Sequence, residues 1–453
     1  MSKLLHCSSV FLIFSSCLLR AESKFLEEWW NGKGAAGDLF GVRPTLEDRG
    51  LDFSGHWGAI FASVVAGGLQ KRGTFVEQVR FELDVDFAKL TGWEALEGLT
   101  GYASTRWRDG TLINPFVGTT SLFSPVDYRS GHGWRIMPLF LTYTTPELFG
   151  IKELLTISGG WQNPYEDLFA YLPASKSGFR NNGIVANKGI SANDDVDWSS
   201  SYAAWGGYVK IKPTDWFYAM AGLYMAIPGG LGTSTANHGL DFEGSPGNNG
   251  LWFLQEIGLT PKLGAAKLPG KYFFGWYYWG LPTESLNGTV HPGVFGFYWA
   301  AQQMLWREPS PPVVEETRVD AKSFKSTVTE AKPKLSDQGL TWFAWFHYAP
   351  SYIGERPFYF FTGFLYRGLI PTRDDDTVGV AFAYGNFGEF NQDIQAAANE
   401  PVQTYEAGLE FYYRIQLNKF LIVQPFIQYI IQPGGAGLVE NATVLGTYFR
   451  VAF

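Results

Sequence analysis

Between Phe75 and Phe87 the chain alternates with a period of two. Phe75, Val79, Phe81, Leu83, Val85 and Phe87 fall on one face, and Gln78, Arg80, Glu82, Asp84 and Asp86 fall on the other. Side chains of a strand point alternately to opposite faces, so this pattern predicts a strand with one apolar and one polar side. The same grammar returns near the C-terminus. Tyr405, Ala407, Leu409, Phe411, Tyr413, Ile415 and Leu417 alternate with Glu406, Glu410, Tyr412, Arg414 and Gln416. Val423, Ile427, Tyr429 and Ile431 then oppose Gln424 and Gln428, and Leu445, Phe449, Val451 and Phe453 oppose Tyr448 and Arg450.

Reading the whole chain this way predicts about sixteen strands, an even number of the kind that closes an antiparallel barrel. They lie near 53–66, 75–88, 98–108, 135–144, 154–162, 200–212, 216–226, 250–260, 271–280, 295–306, 340–349, 358–368, 377–387, 403–416, 421–431 and 443–453. Most even-numbered connections are short, such as Lys212 to Asp215 and Asn418 to Phe420, whereas the odd ones include 109–134, 163–199, 227–249 and 388–402. Short turns on one rim and long loops on the other are expected of a transmembrane β-barrel with both ends on the periplasmic side. In a soluble sandwich the apolar faces would meet in a core; in a barrel they face lipid and the charged faces line water. The expected fold is all-β, a transmembrane antiparallel up-and-down β-barrel spanning 53–453. Residues 22–52 form a leading segment, and 307–338, rich in Pro, Glu, Lys and Ser, read as a solvated polar insertion. Strand parity puts that insertion on the periplasmic side.

Composition agrees with strands. Aromatic residues make up 17% of the chain, with 53 Gly and only 17% charged residues, and no uninterrupted apolar run reaches transmembrane-helix length beyond the first residues. The net charge of −8 is spread over interspersed acids and bases, which excludes a nucleic-acid partner because neutralising phosphates needs a concentrated basic face. Residues 1–21 read as a cleaved signal peptide: Lys3, an apolar stretch from Val10 to Leu19, then Ala21. Leu19 stands where a small residue is preferred, and Phe14 to Ser16 makes a poor lipid-attachment box before Cys17. The only other cysteine, Cys7, also lies in this leader, so the mature chain has no disulfide and no thiolate for zinc or catalysis.

An enzyme needs a nucleophile and a base. His56, His132, His238, His291 and His347 have no Ser or acid partner at recognisable spacing. No catalytic residue, cofactor or metal site is expected. Asp374 to Asp376 follow Arg373 in a turn and are expected to fix that hairpin, since three adjacent aspartates do not make a closed oxygen cage for calcium.

Inward parity instead selects a lumen set: Arg80, Glu82 and Asp84; Tyr102 and Arg106; Gln162; Trp252 and Glu256; Glu406, Glu410 and Arg414; Tyr448 and Arg450. Each has the alternative reading of an ordinary solvated wall residue. Loop 163–199 either folds inward to narrow the pore, with Tyr165, Arg180 and Asn181 as candidates, or caps the outside. Trp276, Tyr278, Phe297 and Trp299 read as a lipid-facing girdle.

Several fragments, in order, resemble the carbohydrate-selective porin family known from glucose-inducible porins of Gram-negative bacteria. They are LFGVRPTLEDRGLDFSGHW near the start, GGWQNPYEDLFAYLP, GVFGFYWAAQQMLW, the most specific stretch FTGFLYRGLIPTRDDDTVGVAFAYGNF, and the closing run from Tyr405 to Phe453. The resemblance implies an outer-membrane porin for passive diffusion of mono- or oligosaccharides, with a pore narrowed by charged and aromatic residues. The terminal Phe453 strand resembles the sorting signal read by barrel-assembly machinery. Outer-membrane lipid is the expected surround, and a homotrimer is one assembly open to such a barrel. Other readings are a general or anion-preferring porin, whose lumen would be dominated by Arg and Lys, an outer-membrane barrel enzyme, and a soluble sugar-binding protein, which would release without detergent.

Overall fold

A computed structural model describes residues 27, 29–38, 41–126, 133–165, 168–176, 178–185, 203–226, 250–285, 287–309, 336–352, 354 and 356–453. The expected signal peptide with Cys7 and Cys17, His132, His238 and most of the expected polar insertion lie outside the described residues.

Sixteen strands form the wall: β1 (Leu51–Ala66), β2 (Gly73–Asp86), β3 (Leu99–Gly110), β4 (Gly133–Thr144), β5 (Leu155–Gln162), β6 (Ala204–Thr214), β7 (Phe217–Ala226), β8 (Gly250–Leu259), β9 (Leu268–Trp279), β10 (Val294–Arg307), β11 (Gly339–Tyr348), β12 (Phe358–Arg367), β13 (Thr377–Asn386), β14 (Tyr405–Gln416), β15 (Leu421–Ile431) and β16 (Ala442–Ala452). Each pairs antiparallel with its chain neighbours, and β1 also pairs with β16 from His56↔Ala452 to Ala66↔Thr443. The sheet therefore has no free edge, the condition for placing strands in lipid. Each segment read from the period-two pattern is one of these strands. No helix among the described residues is long and apolar enough to cross a membrane.

Alternation survives in three dimensions. On β9, Phe273, Tyr277 and Trp279 are buried inside while Phe274 and Tyr278 are exposed outside. Among the described residues the register shifts at four places, near Val64 on β1 and Ile211 on β6 as well as at two bulges further inside the wall. Between β3 and β4, Ala103 pairs with Leu139 and Ser104 with Met137, so Pro138 is the extra residue of a bulge. A proline has no N–H to give the ladder and is accommodated there. The bulge lets Arg135 and Phe140, of opposite parity in sequence, both turn inward. A second bulge sits between Met304 and Trp306 on β10.

The last residue continues the closure. Phe453 N–H donates to Gly55 O at 2.9 Å, and Gly55 N–H donates back to Phe453 O at 3.2 Å. Gly55 leaves room for the Phe453 ring, which a Cβ there would meet, and that ring lies 5.5 Å from the Phe81 ring. The leading segment crosses the same rim: Ala35 N–H donates to Ala452 O at 2.8 Å, and Trp29 packs on Phe420 at 5.1 Å. Arg307 pairs with Gly339, so connection 308–338 leaves from the rim that carries the chain ends.

Candidate functional site

Two long connections enter the barrel. The described parts of L3 (residues 111–132) and L5 (residues 163–203) bury Ile113, Val117, Leu122 and Phe123, and Tyr165, Phe169, Leu172, Phe179 and Ile184. Their rings dock on inward-facing aromatics of the wall. Tyr165 meets Trp252 edge-on at 5.0 Å, Phe179 meets Tyr412 edge-on at 4.9 Å, and Phe123 meets Tyr359 at 6.3 Å. Gly178 makes this close approach feasible, because a Cβ there would overlap the Tyr412 ring.

Backbone N–H groups brought inside a barrel lose water and need partners. Three wall glutamates supply them. Glu410 of β14 accepts from Arg180 N–H at 2.8 and 3.0 Å and from Asn181 N–H at 2.7 Å. Glu256 of β8 accepts from Ala170 N–H at 2.8 Å and from the hydroxyls of Tyr218 at 2.7 Å and Tyr298 at 2.9 Å. Glu406 accepts from the hydroxyls of Thr119 and Thr120 and from Gly434 N–H at 3.1 Å. Glutamines add to the set: Gln424 Nε2 donates to Gly178 O at 2.6 Å, Gln428 Nε2 to Pro125 O at 2.9 Å, and Gln302 Oε1 accepts from Ala174 N–H at 2.8 Å. The loops also hold each other. Asn182 N–H donates to Ser124 O at 2.9 Å, while the Asn181 amide nitrogen reaches Gln428 Oε1 at 2.9 Å and Phe123 O at 3.3 Å.

The arc of wall formed by β2–β4, β14 and β16 carries a set of arginines. Arg80 donates from Nη2 to Tyr102 OH at 2.7 Å and from Nε to Ser104 Oγ at 3.2 Å, and it pairs with Glu82 at 2.9 Å. Tyr102 in turn donates to Glu82 at 2.5 Å. Arg80, Arg106 and Arg135 are register partners on three adjacent strands, so the guanidinium groups form a ladder across the inner face. From the loop side, Arg180 lies over the Tyr448 ring at 4.4 Å, and both it and Arg450 stand within electrostatic range of Arg414. Asp84 pairs in register with Asp52 and Tyr102 nearer the chain-end rim. Arg414 lines a cavity of about 760 Å³ at that rim, together with Trp30, Arg367 and Asp375.

The structure thus gathers Arg80, Glu82, Tyr102 and Arg106 into one group, and Arg180, Arg414, Tyr448 and Arg450 into another. Gln162, Tyr165, Trp252 and Glu256 lie together under L5 on the other arc, nearly or fully buried, with Gln162 accepting from Tyr224 OH at 3.2 Å. Glu406, Glu410 and Asn181 face inward but are enclosed by loop backbone. The inward course of L3 has no signal in the alternation, and the inward set extends beyond the residues named from sequence to Arg108, which shares the parity of Arg106, and to Arg135, Lys210 and Lys271. Lys210 and Arg135 could have been found by continuing the alternation, since Val209 and Ile211 are exposed outside. On the outer face, Tyr278 and Trp299 are exposed and Trp276 and Phe297 half-buried.

Outside the wall, Asp376 accepts a bidentate pair from Arg373, at 2.8 Å from Nε and 2.7 Å from Nη2, as well as Gln416 N–H at 2.9 Å and the Tyr413 hydroxyl. Burial pushes this carboxyl up, but the hydrogen bonds outweigh it and hold the group below its ordinary range. No group of three metal-ligating residues occurs among the described residues. His347 is buried against Tyr277 OH at 3.0 Å.

A sequence model described as carbohydrate-selective porin, OprB family, matches residues 72–453. Porin B of Pseudomonas aeruginosa is 24% identical over 441 residues, covering 93% of this chain and 92% of that protein. The high-pH structure of OprB from Pseudomonas putida superposes with a TM-score of 0.78 at 22% identity, covering 93% of this chain and 99% of the other. The low-pH structure of the same protein gives 0.54 at 19% identity over the same shares.

Proposed function

Because this chain belongs to the carbohydrate-selective porin, OprB family, and so is a passive sugar channel of the outer membrane rather than an enzyme, we propose that its selectivity is set where L3 and L5 meet the arginine-bearing arc of the wall. The observation that carries this reading is the clamp of Glu410 on the backbone of Arg180 and Asn181. It fixes a loop cation opposite the wall cations, on the proposed route of the solute.

A sugar presents hydroxyls and a patch of ring C–H groups. Hydroxyls exchange water for Arg80, Glu82, Asp84, Arg106, Arg414 and Arg450, which offer donors and acceptors in fixed directions. Tyr102 and Tyr448 offer faces or edges to the C–H patch. Binding there is weak, because a solute that stays does not conduct. Gln162, Trp252, Glu256, Glu406, Tyr165 and Asn181 act by holding the loops and shape the passage without touching the solute.

Around this core, residues 1–21 serve as the export signal and 307–338 as a periplasmic polar insertion. The barrel sits in the lipid of a Gram-negative-type outer membrane and is delivered by assembly machinery that reads the Phe453 strand. A homotrimer is compatible with it. The competing reading is a general or anion-preferring porin, for which the arginine ladder speaks.

Proteoliposome swelling separates them. A sugar channel admits glucose faster than a neutral zwitterionic amino acid of similar size. Equal rates for both would leave only a general pore.

A further inference from the structure

Below L5, on the arc away from the arginine ladder, the barrel holds a second cavity, of about 630 Å³. That volume is within the roughly 300–1,000 Å³ usual for small-ligand clefts. Leu168 and Tyr171 of L5 roof it, and Thr260, Asp215 and Glu153 lie at its short-turn rim, so it opens toward the periplasm.

Its inner wall carries two ammonium groups from different strands, Lys210 of β6 and Lys271 of β9. Lys271 Nζ donates to Tyr171 O at 2.6 Å and lies 5.1 Å from the Tyr171 ring. Lys210 sits over the Tyr218 ring at 4.9 Å and forms no ion pair among the described residues. Lys271 feels the repulsion of Lys210, both feel the attraction of Glu256, and Lys210 is also acted on by Lys212 and Glu153 nearer the rim. Glu256, however, already accepts Ala170 N–H and two tyrosine hydroxyls, which enclose its carboxylate. At the rim, Glu153 is engaged with Lys212 at 3.8 Å. The inner half of the cavity therefore pairs two cations with one screened anion, beside the rings of Tyr171 and Tyr218.

Resting on the sugar-channel reading above, we propose that this cavity is an exit station for the acid group of a monosaccharide-sized sugar carboxylate, held between Lys210 and Lys271 with its carbon chain against the tyrosines. The channel then favours acidic sugars over neutral ones of equal size.

The test uses the refolded full chain in planar bilayers, with ion current titrated separately by sodium gluconate and by glucose at matched ionic strength. The half-blocking concentration for gluconate is expected to be about fivefold lower than for glucose, and K210Q/K271Q brings the ratio toward one. Because Lys271 also steadies L5, K210Q alone must move the ratio in the same direction and K210R must restore it. Gluconate blocking no better than glucose, or a preference unchanged in K210Q/K271Q, overturns the station. Absence of glucose block in the unaltered channel would instead strike the sugar-channel reading itself.

Discussion

The backbone N–H of Arg180 donates to both carboxylate oxygens of Glu410, at 2.8 and 3.0 Å, across a separation of 230 residues in the chain. Arg180 belongs to a loop and Glu410 to the wall, so this contact sets how far the loop cation reaches into the lumen. Replacing Glu410 by Gln keeps the shape but turns an amide nitrogen toward at least one loop N–H. Each buried N–H left without a partner costs about 1–3 kcal/mol. E410Q is expected to fold as a barrel, to show larger and noisier single-channel conductance, and to lose sugar block. Conductance and block identical to the parent would show that L5 is held by other means.

Arg180 and Tyr448 form a cation–ring contact between a loop and the arginine arc, at 4.4 Å. Such contacts contribute about 0.5–2 kcal/mol according to how far they are desolvated. R180A and Y448A should each weaken sugar block, and a double-mutant cycle should give a coupling energy of about 1 kcal/mol. Strict additivity of the two effects on block would separate the residues functionally.

Strand positions were legible because they depend only on nearest neighbours in sequence. Phe75 to Phe87 announces a strand with two unlike faces, and lipid outside with water inside preserves both. Inward parity was equally legible at Glu256, Glu406 and Glu410. What these carboxylates bind was not. One partner of Glu256 is the N–H of Ala170, 86 positions away, and no local pattern marks a loop that turns into the barrel. Parity marks these charges as water-lining, whereas in the fold they attach loop backbone. Pro138 illustrates the converse: one bulged residue moves Phe140 to the face opposite to that counted from Arg135.

Phe411 lies midway along β14, on the outer face and 47% exposed. An arginine at the membrane midplane of a barrel costs about 2–4 kcal/mol. F411R should lower the yield of folded barrel, read as the fraction of heat-modifiable band on a gel. Substitution of Phe420, which is buried at the rim against Trp29, by arginine should not follow the same dependence on bilayer thickness. An F411R barrel folding as well as the parent in every lipid would contradict the lipid-facing assignment.

Asp376 is 2% exposed and its carboxyl is held below the ordinary range. A depressed carboxylate contributes stability that is present above its unfolded value and is lost as pH falls through its folded value. The parent barrel should therefore lose thermal stability as pH drops below about 4, the unfolded range of aspartate. D376N should be less stable at neutral pH by about 1–3 kcal/mol, with a shallower acid decline. Parallel pH curves for parent and D376N would remove this carboxylate from the acid response.

The most direct test of the central claim is ion current through the refolded channel in planar bilayers, titrated with glucose, in the parent and in E410Q. Stepwise channels blocked by millimolar glucose in the parent, with block abolished and conductance raised in E410Q, are predicted. Parent channels indifferent to glucose at every concentration would contradict the account.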